Sequence, residues 1–381
     1  MSSHKLIRTL HSTLANVLRK VRPTRAMMAR PMAYGLNNLN NIQASCFMNR
    51  NSFRQYATSE NGEVTSPTEG VSNNKGDHVF NDGKGRSAKD IIGRIACLQL
   101  ILARWGIEAA LQSGSPAQRI QASFNGINQT AKIEELQSLL TPKEKSMLLQ
   151  PLGKWTHADL NDFEERWEEF GVFQWCLGIQ NEVPSYFEEF HKSQLFMATG
   201  LVPGQPKSFL DFISHSPEKV SPRSQDDIKD QLTQAEVWHW RSQAQTLLAL
   251  KDLNDFSQLP PAVRRMIEKL PQAISHTASL AHSRGFISEA VEDDFGVHSS
   301  ADPSLKIENK MIAYRQLSEH TLNRLSLLAQ ARYHALAYLG GALQDYDDPI
   351  SRLTESTSHG NVLGGLPHLW APENEDESTE K

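Results

Sequence analysis

A chain of 381 residues holds one large domain or two smaller ones, and a hydrophobic share of 39% argues that part of it stays outside any core. Its 39 Lys and Arg against 44 Asp and Glu leave a net charge of −5, unevenly spread: nine of the bases precede Ala57, and no acid stands before Glu60. Setting those nine aside leaves thirty bases against 44 acids, or −14, a body that repels phosphate and disfavours nucleic-acid binding by counterion release.

The first 56 residues read as a mitochondrial presequence. Leu6, Leu10, Leu14 and Val17 recur at helical spacing, with Ile7 and Leu18 widening the stripe and Lys5, Arg8 and Arg19 on other faces. A basic amphipathic helix followed by an Arg-, Ser- and Asn-rich stretch without acids is the composition of a transit peptide. Arg54, Tyr56 and Ala57 have the spacing of a matrix-processing site, with Arg two residues before the aromatic and a small residue after the cut. Residues 57–86 carry little but Ser, Thr, Asn, Gly and charge, so they are expected to be a disordered linker.

Helical signals dominate from there. Ser87 and Asp90 have capping-box spacing before Ile91, Ile95, Leu98, Leu102 and Trp105, all on one face. Thr141-Pro142-Lys143-Glu144 is a second start, with Pro at the first helical position. Phe163, Trp167, Phe170, Gln174 and Leu177 mark a helix ending near Gly178, and the acids Glu164, Glu165, Glu168 and Glu169 are expected on its solvated face. Ser224 to Asp227 caps a helix carrying Ile228, Leu232, Ala235 and Trp238. Pro260-Pro261 opens another through Val263, Ile267 and Leu270, which Pro271 should kink or restart. The longest helix is expected over Ile307 to Leu343.

No sustained period-2 run appears, so no sheet is expected, and no apolar run reaches the roughly 18 to 20 residues that span a bilayer. The expected fold is all-α: a multi-helix globular domain over 87–344, behind a disordered presequence and linker and ahead of a loose acidic tail over 345–381. Within that tail, Leu363 to Trp370 is apolar enough to dock on the domain or a partner.

Several of these segments together resemble the family of domain of unknown function 4272. The resemblance is carried by Arg166-Trp167-Glu168-Glu169, then Trp175-Cys176-Leu177-Gly178 and Pro184, by Phe209 to Ile213, and by Glu236-Val237-Trp238-His239-Trp240-Arg241. Arg332, Ala335 to Leu339 and Asp345-Tyr346-Asp347-Asp348 look like its closing pattern, with Ala337 standing for an Asn and Tyr338 and Tyr346 for two Trp. The resemblance implies a helical fold over roughly residues 91–348 and brings no activity with it.

Candidate chemistry is sparse. Cys46, Cys97 and Cys176 have neither disulfide-framework nor zinc spacing. Glu188 with His191, and Glu236 with His239, repeat the Glu-x-x-His spacing of carboxylate-bridged metal bundles, but the single carboxylates such a site needs from two other helices are not marked. Gly83 to Ala88 imitates a phosphate loop without a preceding strand. The densest aromatic and cationic cluster is Trp238 to Arg241. It reads as a core helix with Arg241 paired to an acid, or as one wall of a polar pocket formed by Trp238, Arg241, Arg332, Asp345 and Asp347.

The sequence therefore points to a soluble mitochondrial matrix protein without a transmembrane span or cofactor, handled by the import and processing machinery. It would act noncatalytically on an unidentified protein partner as an assembly or maintenance factor. The readings from other classes are an enzyme with its pocket between helices 225–251 and 307–343, and, more remotely, a carboxylate and histidine metal-binding bundle.

Overall fold

The computed structural model describes residues 85–350, apart from 217–219, 253–255, 260 and 308. The presequence, its cleavage site at Arg54, Tyr56 and Ala57, most of the linker and the apolar segment Leu363 to Trp370 lie outside the described residues.

The first described helix, α1 (Ala88–Gln112), is apolar on nearly every face, and a helix of that kind belongs in the middle of a fold. It packs against α2 (Ala117–Thr130), α3 (Glu134–Leu139), α4 (Pro142–Leu149), α5 (His157–Glu164), α6 (Arg166–Cys176) and α8 (Pro206–His215). Its buried polar side chains each find a partner, as low-dielectric surroundings demand. Arg94 pairs with Glu144 at 2.5 Å, Gln99 donates to the Phe196 carbonyl at 3.0 Å, and Arg104 donates to Glu108 and to the carbonyls of Gln150 and Pro151.

Helix starts follow the caps. Ser87, Thr141 and Ser224 each form a full capping box, and Thr156, which the sequence reading passed over, forms a fourth with Asp159. At the end of α6, Gly178 takes φ +73°, and the Ile179 and Gly178 amides return to the carbonyls of Gln174 and Trp175, both at 2.9 Å. This Schellman-type stop needs the left-handed region that glycine enters freely.

A second layer is built on α6. Helices α9 (Gln225–Ala249) and α11 (Glu319–Leu339) pack along each other, α11 also lies on α6, and α10 (Pro261–Ser283) lies on α9. The short α7 (Lys192–Ala198) packs beside α6. No described helix is long and apolar enough to cross a membrane.

The structure corrects three expectations without changing the helical class. A small antiparallel sheet is present, in the order β1 (Ala290–Val291), β2 (Asp294–His298), β3 (Met311–Ala313), with Val291 opposite Asp294 and Val297 opposite Ile312. Its first turn holds Glu292 at φ +48° and Asp293 at φ +62°. That is the positive-φ pattern of a two-residue hairpin, made without the Asn-Gly pair that usually announces one.

The expected helix over Ile307 to Leu343 is shortened to α11, starting after the N-cap Ser318. Ahead of it, Met311–Ala313 pairs with β2 as β3 and Tyr314–Gln316 makes a tight turn, so the backbone there is committed to the sheet. Helix α10 runs through Pro271 without a restart. Finally, the expected helix around Trp167 is divided at Glu165 into α5 and α6, and two acids assigned to its solvated face, Glu168 and Glu169, are 6% and 5% exposed. Glu168 is met by the buried Arg332 and Glu169 by the half-buried Arg166.

Candidate functional site

The five residues nominated as a pocket divide: Trp238, Arg241 and Arg332 are buried around the rings of Tyr314 and Tyr186, while Asp345 is exposed and Asp347 borders a cavity beside Arg166. Trp238 is buried, stacked on Tyr186 with ring centroids 5.6 Å apart and edge-on to Phe295. Arg241 is fully buried on α9 and clamps Asp294 of β2, Nε to Oδ1 at 2.7 Å and Nη2 to Oδ2 at 2.8 Å, with its guanidinium over the Tyr314 ring. Asp294 also accepts the Phe295 and Arg315 amides. Arg332, fully buried on α11, donates through Nε to Glu168 at 2.8 Å and through its two terminal nitrogens to the carbonyls of Pro184, Ser185 and Glu188. Both arginines tie the fold together, and Arg241 paired to an acid is what the packing reading of Trp238 to Arg241 expects. Asp345 is exposed, and its amide bonds to Asp348.

Of the five, Asp347 lines a cavity of about 280 Å³, walled by α4, the α5–α6 junction, α11 and residues 347–350. The centre of its wall is Glu169. Arg166 reaches it at 2.8 Å, His334 Nδ1 lies 3.1 Å away, and the Tyr346 hydroxyl donates to it. Arg166 also faces Asp347 at 3.7 Å, and both Arg94 and Arg166 lie over the Tyr346 ring, at 4.4 and 4.5 Å. Burial alone would raise the Glu169 carboxyl, but Arg166, His334 and Tyr346 overcome it and hold the group at about 2.

Glu165, one turn earlier, has the opposite balance. Burial, then the negative charges of Glu169 and Asp162, push it up to about 7 against the weaker pull of Arg166 and His334. The i,i+3 spacing of Arg166 and Glu169 and the nomination of Asp347 were the traces of this site in the sequence; His334 and Tyr346 reach Glu169 from more than 160 residues away.

The depressed Glu169 has a consequence in acid. Its folded value of about 2 lies below the ordinary 4.5, so its contribution is present above about pH 4.5 and is lost as pH falls toward 2. That contribution is roughly 3 kcal/mol at neutral pH. Urea midpoints from pH 7 to pH 2 should drop steeply in that window for the wild type; Glu169→Gln should start lower and change less.

The metal candidates separate. Residues 188–191 are not helical, so the spacing of Glu188 and His191 does not place them on one face; Glu188 offers its carbonyl to Arg332, and His191 Nδ1 lies 2.9 Å from the Ser193 hydroxyl. Glu236 and His239 do share a face of α9, where His239 stacks on Tyr333 at 5.4 Å, and Glu236 Oε1 and His239 Nδ1 are buried without a hydrogen-bond partner. No group of three or more His, Cys, Asp or Glu among the described residues is placed to hold a metal.

Burial drives Glu236 up to about 8 and His239 down to about 4. For Glu236 the folded value lies above the ordinary 4.5, so the folded state is increasingly penalised as pH rises from 4.5 to 8. Glu236→Gln should therefore raise the melting temperature at pH 9 and leave it nearly unchanged at pH 4.5.

Residues 79–254 match the family model of domain of unknown function 4272 (DUF4272). The DUF4272 segment takes in α1 through α9, and with them Arg166, Glu169 and Arg241. It ends before the sheet and α11, so Asp294, Arg332, His334 and Asp347 complete its buried pairs and the cavity from outside the match. No curated protein and no solved structure matches the chain.

Proposed function

We propose that this chain is a mitochondrial matrix protein that acts without catalysis, by holding a protein partner in assembly or maintenance. The address rests on the acid-free arm before Ala57, which carries nine bases and an apolar stripe. The noncatalytic reading rests on one observation: the two cations expected to line a polar pocket are engaged by the fold, Arg241 by Asp294 and Arg332 by Glu168. A buried guanidinium held by both oxygens of one carboxylate, as Arg241 is, or by a carboxylate and three carbonyls, as Arg332 is, is not available to a substrate.

Proximity labelling from the full chain in intact mitochondria tests both halves. It should mark a small, reproducible set of matrix proteins; labelling confined to cytosolic proteins would refute the reading.

One observation favours an enzyme instead. Glu236 and His239 lie between α9 and α11 with unpartnered polar atoms and shifted protonation, the arrangement from which acid and base roles are drawn. If that reading holds, Glu236→Gln abolishes the biological function of a fully folded protein; under the binding reading it does not.

A further inference from the structure

The cavity at the α5–α6 junction carries an inference that rests on the partner-binding reading and narrows it. Its volume of about 280 Å³ falls just under the roughly 300–1,000 Å³ of pockets that enclose whole small molecules or cofactors. It suits one long side chain. Ala331, Pro349 and Ile350 give part of its wall an apolar surface, against which a methylene stem can lie while its charged end reaches polar groups.

The charges in the wall decide the sign of that end. From α4, Lys143 faces Asp162 of α5 at 3.5 Å. From α6, Arg166 is engaged by Glu169 and Asp347, and from α11, His334 sits between Glu169 and the Asp348 carbonyl. The cations are thus already matched, and an anionic ligand would have to displace a carboxylate. Glu165 stands apart: among the described residues no ion pair engages it, and Glu169 and Asp162 act on it more strongly than Arg166 and His334 do.

We propose that this cavity receives a single basic side chain of the protein partner, an ammonium or guanidinium, which pairs with the Glu165 carboxylate. The pairing balances simply. The carboxyl O–H breaks, its proton leaves to solvent, and the carboxylate pairs with a ligand that keeps its own charge throughout. Because Glu165 is held at about 7, its ionised fraction rises about tenfold between pH 6 and pH 8, and affinity should rise with it.

The test is calorimetric titration of the full chain with hexalysine and hexaarginine at pH 6 and pH 8, with hexaglutamate as the charge control. The expected result is binding of a basic peptide that strengthens up to about tenfold over that range and releases protons near pH 7. Glu165→Gln should weaken binding at pH 8 and flatten its pH dependence, whereas Glu135→Gln, an exposed site on α3, should change neither. Whichever peptide binds more tightly identifies the ammonium or the guanidinium.

Three results would overturn the proposal: no binding, pH-independent binding, or equal loss in both variants, which marks general attraction to a negative surface. If any of these occurred while proximity labelling still found matrix partners, partner binding would stand and only this cavity's role would fall. If labelling found none, the broader reading would fall whatever the peptides did.

Discussion

Arg241→Ala should destabilise the protein by about 3–5 kcal/mol, the range for removing one member of a buried ion pair. Truncation leaves Asp294 fully buried without its cation, still accepting the Phe295 and Arg315 amides, and removes the guanidinium packed on Tyr314. For a domain of this size the melting temperature should fall by roughly 10 °C. Thermal melting followed by circular dichroism measures it directly. The companion experiment separates charge from packing: in Arg241→Met with Asp294→Leu no unpaired charge remains, so the double variant should be more stable than Asp294→Leu alone. An Arg241→Ala protein that melts like the wild type would mean that the pair with Asp294 does not form.

Arg332→Ala should have an effect of similar size by a different route. Arg332 spreads its donors over one carboxylate and three carbonyls, so its loss leaves Glu168 uncompensated and frees the chain between Pro184 and Glu188. The other oxygen of Glu168 accepts the Phe190 amide at 3.0 Å, which makes that amide a local reporter. Hydrogen exchange should show Phe190 losing protection in Arg332→Ala at a denaturant concentration where α1 remains protected. Arg332→Lys should rescue little, because an ammonium has three donors on one atom and cannot reproduce the planar fork.

These two residues show where the sequence could be read and where it could not. The capping boxes at Ser87, Thr141 and Ser224 were legible because cap and helix lie within four residues of each other, and the Gly178 stop was legible for the same reason. The acids of α6 were misassigned because a carboxylate on a helix looks solvated until its cation is found; Arg332 lies 164 residues from Glu168. Asp294 was invisible as the partner of Arg241 because its strand is five residues long and follows a turn of Glu and Asp in place of Asn and Gly.

The same limit applied to the site. Asp347 was expected in one pocket with Trp238, Arg241, Arg332 and Asp345, but it faces Arg166, while Arg241 and Arg332 face other carboxylates. The cavity it lines depends on α4, α5, α6 and α11 meeting at one point. Periodicity describes each of those faces separately and says nothing of which faces meet.

The most direct test of the proposed role is the N-terminus of the chain recovered from protease-treated, intact mitochondria after expression of the full-length protein with a C-terminal tag. A matrix protein should be recovered in a protease-protected form beginning at Ala57, from which the nine-base arm has been removed. Recovery of the protein only outside the organelle, with residues 1–56 still attached, would contradict the matrix address and the partner-binding function built on it.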